Sequence, residues 1–377
     1  MDTPFLKNLF GGMPVQQFLS EYWQKKPLLV RNAIPGFSGL LSRDELLDLA
    51  CSEDAESRFV SQAGGRWTIE HGPFTRQRFG RAKKPWTTLV QGLNLLLPEA
   101  DRLMREFSFI PYARLDDLMV SYANDGGGVG PHFDNYDVFL LQGMGKRRWR
   151  IGNQKDQRLI EGLPLRILKD FRPKYDWVLE PGDLLYLPPE WAHDGIAVGE
   201  CMTYSVGFRT APAQELAEQF LMFLAERVDM PGRYADPDLK RQRHPAEIAP
   251  AMVKQVKEML DGIRWNDRLV SEFLGCMLTE PKAQVFFERP ERALPLTRFA
   301  SAAGKRGLRL DARTQLLFCG GAFFINGEAA AVPAADRAVF RRLADERGLS
   351  AATPLSAGGM ALLHDWYRCG FLGPARD

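Results

Sequence analysis

Two histidines and an aspartate carry the chemistry legible in this chain. His132 and Asp134 stand in Pro131-His-Phe-Asp134, and His193 closes Pro181-Gly-Asp-Leu-Leu-Tyr-Leu-Pro-Pro-Glu-Trp-Ala-His193, 59 residues beyond Asp134. Two imidazoles and one carboxylate can occupy one face of an octahedral metal and leave three positions open, which suits non-haem Fe(II) binding a co-substrate and dioxygen together. The chain has five histidines in all, so two in such contexts leave little room for chance. Each half alone has an ordinary explanation: H-x-D is common in strands, and the second segment could be a hairpin with a satisfied histidine. The two halves in this order point to a metal.

Positioning falls to β-structure. Alternate residues of a strand share a side, so a strand through 132–134 would project His132 and Asp134 together and turn Phe133 away. Asp176–Glu180 and Leu184–Leu187 read as strands around a Pro-Gly turn, with a Pro-Pro break before His193. Hairpins of this kind recur in double-stranded β-helix (jelly-roll or cupin) barrels, which hold a metal in the barrel mouth. Val138–Gln142 reads as an apolar strand, Gly143–Gly145 as a turn, and Lys146–Ile151 as a strand with alternating cations. Alternation puts Arg147 and Trp149 on one face and Lys146, Arg148 and Arg150 on the other. A cation facing an apolar interior is costly unless it meets an anion. A dicarboxylate such as 2-oxoglutarate would supply one, and arginine offers a two-pronged grip on it. A solvated strand face explains any single one of these cations equally well.

These segments resemble the JmjC (Jumonji C) family of Fe(II)- and 2-oxoglutarate-dependent oxygenases, most closely its bacterial ribosomal-oxygenase branch. The resemblance is carried by Gly126-Gly-Gly-Val-Gly-Pro-His132-Phe-Asp134-Asn-Tyr-Asp-Val-Phe, by Gln142-Gly-Met-Gly-Lys-Arg-Arg-Trp149 and by the hairpin ending at His193. Tyr204-Ser-Val-Gly-Phe-Arg209 and the lead-in Phe18-Leu-Ser-Glu-Tyr-Trp23-Gln-Lys-Lys-Pro27-Leu-Leu-Val-Arg31 extend it over essentially the whole chain. It implies His132, Asp134 and His193 as iron ligands. It also implies Arg147, fifteen residues after His132, on the distal carboxylate of 2-oxoglutarate, with Ser205 near the co-substrate and Ser121 contributing as well. Many eukaryotic relatives carry Lys at the gripping position and Thr three residues before the first histidine. This chain has Arg147 and Val129 there, so its co-substrate contacts are expected to be distributed differently.

The implied activity is hydroxylation of a ribosomal protein side chain, consuming O₂ and giving succinate and CO₂. The target is arginine at its β-carbon in bacterial members and histidine in animal relatives. Asp125 and Tyr136 lie near the ligands in sequence and are candidate partners for an arginine substrate. Strand alternation would place Tyr136 on the ligands' side and Asp137 away from it, with simple solvation the alternative for Asp125 and Asp137. Two other classes stay open: a JmjC lysine demethylase using the same iron with an aromatic cage, and a cupin-like metal-binding protein without turnover.

Composition sets the bounds. At 377 residues two or three domains are expected, and 45% hydrophobic residues suffice for their cores. A net charge of +2 gives no global argument for nucleic-acid binding. Five scattered cysteines without C-x-x-C spacing argue against a disulfide framework and a zinc site. No apolar run approaches the roughly 20 residues of a membrane span. Met1-Asp-Thr-Pro lacks the cationic start of a secretory leader, so a cytoplasmic enzyme is expected.

The expected architecture is α+β and multidomain. Residues 1–210 form the JmjC barrel with N-terminal additions, including a helix capped by Ser42 with Glu45 three residues on. Residues 211–280 are helical, with apolar stripes at Leu216, Phe220, Leu224 and Val228, at Ile248, Met252, Val256 and Leu260, and at Trp265, Leu269, Phe273 and Met277. Such stripes often mean only core; the resemblance implies a homodimer through these helices. Residues 281–377 read as a winged-helix-like domain: strands 307–310, 315–318 and 322–327 with an Asn-Gly turn, then helical runs 333–346 and 359–369. Its cations Arg337, Arg341, Arg342 and Arg347 are offset by Asp336, Asp345 and Glu346, which favours a protein-contact or architectural role over DNA binding.

Overall fold

The computed structural model describes residues 8–81 and 84–375. The chain divides into two compact units, Met1–Thr210 and Ala211–Asp377.

In the first unit eleven strands follow one another: β1 (Leu28–Val30), β2 (Ser57–Ala63), β3 (Arg66–His71), β4 (Trp86–Val90), β5 (Leu115–Ala123), β6 (Asp137–Gln142), β7 (Lys146–Gly152), β8 (Tyr175–Leu179), β9 (Leu184–Leu187), β10 (Ala192–Val198) and β11 (Cys201–Phe208). Eight form one antiparallel sheet in the order β1-β9-β6-β11-β5-β4-β2-β3, and β10-β7-β8 form a second. The period of two in β11 explains how the large sheet is used. Met202, Tyr204, Val206 and Phe208 join a core with Leu118, Val120 and Tyr122 of β5 and with Phe139 and Leu141 of β6, covered by N-terminal residues such as Phe18 and Leu46. The opposite face of β6 and β9 contributes Val138, Leu140, Leu185 and Leu187 to a separate cluster with Trp149 and Ile151 of β7 and Leu179 of β8. That cluster fills part of the space between the sheets, and the fold is the expected double-stranded β-helix. A one-residue slip of β11 would exchange its apolar and polar faces, so the register is strongly specified.

The lead-in is tied to the barrel by a buried carboxylate. Asp137 is fully buried and accepts hydrogen bonds from Tyr186 Oη at 2.6 Å, Gln24 Nε2 at 2.9 Å and Arg114 Nη2 at 3.3 Å. Trp23 stacks on Tyr186 with ring centroids 5.7 Å apart. Solvation of Asp137 is thereby ruled out: the residue opens β6 and faces away from the ligands into this network. Asp137→Ala should lower unfolding stability by about 3 kcal/mol or more, because three donors lose a buried acceptor. Urea denaturation checks this, and a change below about 0.5 kcal/mol would deny the network its structural role. Upstream, Ser42 caps the helix Arg43–Ala50 with both bonds of a capping box: Ser42 N–H to Glu45 at 2.8 Å and Glu45 N–H to Ser42 Oγ at 3.3 Å.

The second unit begins with helices Ala213–Ala225, Pro250–Leu260 and Asp267–Thr279. Phe220 packs against Trp265 and Phe273 at centroid distances of 5.5 and 5.3 Å, and Leu224 is buried. Beyond them lie helix Leu296–Arg306, strand Leu308–Leu310, the three-stranded sheet Leu316–Cys319, Ala322–Ile325 and Glu328–Ala330, and helices Arg337–Glu346 and Ala357–Arg368. Asn326 and Gly327, with φ of 49° and 92°, form the expected two-residue turn of that hairpin. Two expectations are corrected here. Helix Leu296–Arg306 is not evident from the sequence. Arg347 is not a surface cation: it is buried and donates to the carbonyls of Thr314 at 2.7 Å and Asp311 at 2.6 Å, closing the helix before it. No helix among the described residues is long and apolar enough to cross a membrane.

Candidate active site

His193 lies on β10, and His132 meets it as an isolated antiparallel bridge, with N–H to carbonyl bonds of 3.0 and 2.7 Å in the two directions. The expected strand through 132–134 is absent. Only His132 bridges, and regular pairing resumes at Asp137, because Pro131 has no N–H to continue a ladder. Asp134 is nevertheless held beside the pair, its carbonyl accepting from Glu190 N–H at 2.8 Å. Its Oδ2 lies 3.9 Å from His132 Nε2 and 3.6 Å from His193 Nε2, and one ligand atom from each residue falls within 4.8 Å of the others.

The tautomers are fixed. His132 Nδ1 lies 2.8 Å from the Gly130 carbonyl and His193 Nδ1 2.9 Å from that of Trp191. A carbonyl can only accept, so each Nδ1 carries the hydrogen and each Nε2 presents a lone pair. Burial, and the neighbouring His132 ring after it, push the His193 imidazole down to about 4, so it stays neutral at physiological pH. Two neutral imidazoles and a carboxylate converging in this way fit a divalent transition metal.

The interior beside this cluster fits an anion. Arg147, on β7, is 5% exposed and donates through Nη1 to Ser121 Oγ of β5 at 3.0 Å and through Nε to Cys201 Sγ of β11 at 3.4 Å. Its Nη2 is buried with no hydrogen-bond partner, and among the described residues no carboxylate lies within ion-pair distance of it. A buried guanidinium in that state is strongly unfavourable unless a ligand supplies the charge. The neighbouring cations have their own partners: Lys146 pairs with Glu180, Arg148 with Asp176 and Arg150 with Asp194. The solvated-face explanation therefore holds for Lys146 and Arg148 and fails for Arg147.

Ser205 is buried on β11, opposite Met119 of β5 and Leu140 of β6, two positions along from Thr203, which faces Ser121. Thr203 Oγ1 is engaged with Gln142 Oε1 at 3.0 Å. Tyr136 lies ahead of β6 rather than in it, so alternation does not set its direction. It is 42% exposed, yet its hydroxyl is sheltered and hydrogen-bonds the Asp134 carboxylate; burial and that carboxylate push the phenol well up. Asp125 is exposed and accepts from Gly199 N–H at 2.8 Å. Cys201, Gly195 and the interior role of Trp149 escape sequence reasoning. The polar alternation Cys201-x-Thr203-x-Ser205 against apolar even positions was the available signal for the first.

A jelly-roll barrel that gathers two histidines and a carboxylate beside a counterion-free buried arginine defines an oxygenase of the two-histidine, one-carboxylate class. Family comparisons agree. Residues 102–216 match the JmjC domain and residues 262–373 match the ROXA-like winged helix. The ribosomal protein uL16 3-hydroxylase of Escherichia coli is 36% identical over 276 residues, spanning 73% of this chain and 74% of that protein. A probable ribosomal oxygenase of Haemophilus influenzae is 41% identical over 196 residues, spanning 51% of this chain and 48% of that protein. The structure of YcfD, an E. coli ribosomal oxygenase in complex with cobalt and 2-oxoglutarate, superposes with a TM-score of 0.82 at 32% identity, covering 96% of this chain and 98% of that one. The chain belongs to the JmjC ribosomal-oxygenase family.

Proposed function

We propose that this protein is a 2-oxoglutarate-dependent hydroxylase of the arginine β-carbon in ribosomal protein uL16, with His132, Asp134 and His193 holding Fe(II). The observation that carries the reading is Arg147, a buried guanidinium without a counterion, in the same barrel as three converging metal-type ligands. The E. coli relative's activity on uL16 supplies the substrate class. When bound, ferrous iron brings dioxygen and the 2-oxo acid together, and oxidative decarboxylation of the acid to succinate and CO₂ accompanies insertion of one oxygen atom into the target C–H bond.

The chain's own residues bind, orient and shield. Nδ1–H bonds to Gly130 and Trp191 hold both imidazoles with Nε2 toward the metal. Arg147, seated by Ser121, takes the distal carboxylate of 2-oxoglutarate. Ser205 lies on the strand that carries Cys201, the second residue holding Arg147, and lines the co-substrate space. Asp125, fixed at one oxygen by Gly199 N–H, offers a carboxylate to the incoming guanidinium. The Tyr136 ring offers an aromatic surface while its hydroxyl steadies Asp134. A ribosomal substrate puts this work in the cytoplasm.

Incubation with Fe(II), 2-oxoglutarate and uL16 should give succinate and a one-oxygen mass gain on an arginine of uL16. Gain on histidine would mark a histidyl hydroxylase, loss of a methyl group a demethylase, and absence of succinate a binding protein. Each of those outcomes contradicts the proposal.

The homodimer belongs to the same reading. Helix Pro250–Leu260 has no buried residue and presents Met252, Val253, Val256 and Leu260, with Ile248 just ahead of it 71% exposed. An apolar stripe left uncovered on a helix is what a second copy would bury. Phe220 and Leu224 instead pack within the unit, so they are poor probes of a dimer. Met252→Glu with Val256→Glu should convert a dimer to a monomer that still binds 2-oxoglutarate. Sedimentation showing a wild-type monomer at micromolar concentration contradicts it.

A further inference from the structure

Trp149 has a property that the roles assigned so far leave unused. Its residue is 6% exposed, and its indole Nε1–H is buried with no hydrogen-bond partner. An unsatisfied N–H of this kind in a barrel interior costs about 1–3 kcal/mol, which an indole at a purely packing position would avoid by giving way to leucine or phenylalanine.

Its place in the ladder is informative. On β7 it follows Arg147 by two residues, so both side chains face inward, and the two strands pair Arg147 with Ala197, Trp149 with Gly195 and Ile151 with His193. Trp149 thus occupies the rung between the arginine and the histidine. The distances agree: its ring is 5.8 Å from the Arg147 guanidinium carbon and 5.9 Å from the His193 ring. The indole is seated by Gly195. A Cβ added there would stand 2.7 Å from Cη2 and Cζ3 of Trp149 and 3.0 Å from its Cε3, so only glycine admits the ring. Those contacts lie on the benzo edge. Nε1 is on the opposite edge of the indole, turned from β10.

We infer that Trp149 is a third binding residue for the co-substrate, donating its Nε1–H to a carboxylate oxygen of the 2-oxo diacid that spans from Arg147 to the metal cluster. This rests on the reading of the barrel as a 2-oxoglutarate site. A rigid neutral donor beside the guanidinium explains why the N–H is orphaned when no co-substrate is bound, and why the strand opposite it carries glycine.

The test uses the full-length protein with Mn(II) as a redox-inert stand-in for Fe(II), and measures 2-oxoglutarate binding by anaerobic calorimetry. Trp149→Phe removes the donor. Replacement of Trp149 by β-(3-benzothienyl)alanine removes it while keeping the bicyclic shape, which separates the hydrogen bond from packing. Both variants should bind 2-oxoglutarate about tenfold more weakly or worse, with Mn(II) affinity unchanged. A benzothienyl variant within about threefold of wild type would overturn the inference, even if the phenylalanine variant is impaired, because shape alone would then account for the effect. Wild-type protein that fails to bind 2-oxoglutarate would instead remove the underlying reading of the barrel.

Discussion

Alanine at His132, Asp134 or His193 should reduce succinate formation to background while leaving a folded protein. Each change removes one of three converging donors, and two remaining donors do not hold a six-coordinate metal with the right face open. The structural costs differ between the positions. His193 is buried and bonded to the Trp191 carbonyl, so His193→Ala opens a cavity and should cost about 1–3 kcal/mol of stability. His132 and Asp134 are each about a quarter exposed at the side chain, and their loss should cost less. Asp134→Asn makes the cleanest comparison, because it keeps the shape and the Tyr136 contact while removing the charge that a metal needs. Circular dichroism and a succinate assay on the same samples separate loss of chemistry from loss of fold. Near-normal turnover in the Asp134 variants would contradict the ligand assignment.

Arg147→Ala should weaken 2-oxoglutarate binding about 10- to 150-fold, the range of a charge-assisted contact worth about 1.5–3 kcal/mol. Neighbouring cations cannot take over, since Lys146 and Arg148 are engaged with Glu180 and Asp176 on the outer face of β7. The same change should leave the ligand-free protein no less stable than wild type: it removes a buried charge that has no counterion. That opposition between affinity and stability is the signature of a site built for a ligand. Arg147→Lys should recover part of the affinity, as one charge without the two-pronged geometry. Unchanged co-substrate affinity in Arg147→Ala, read by titration of the metal-loaded protein, would remove Arg147 from the site.

The site was largely legible before the fold was known, for physical reasons specific to its residues. His132, Asp134 and His193 are sparse residue types in distinctive contexts, and Arg147 alternates into an apolar strand, which strand periodicity alone exposes. The route to the geometry was less legible. His132 and Asp134 come together through an isolated bridge and a loop rather than along a strand, since Pro131 interrupts pairing and regular hydrogen bonding restarts only at Asp137. Asp137 and Arg347 look like solvated charges in the sequence and are buried, because their partners Gln24, Arg114 and Tyr186, and the carbonyls of Asp311 and Thr314, come from distant segments. The Trp149–Gly195 pair was likewise hidden: only the β7–β10 register brings a bulky ring over the one residue without a side chain. Strands β2 to β5, which widen the large sheet, carry weaker alternation than the central motifs and become evident only through pairing.

The central claim is that co-substrate oxidation and substrate hydroxylation are one coupled event on a ribosomal arginine. It is tested most directly by running the reaction under ¹⁸O₂ with Fe(II), 2-oxoglutarate and uL16, and weighing both products by mass spectrometry. The expected result is one labelled oxygen in succinate and one on a single arginine residue of uL16, with the two products formed in equal amounts. Labelled succinate with no label on any arginine of uL16, or an arginine product whose oxygen comes from water, would contradict it.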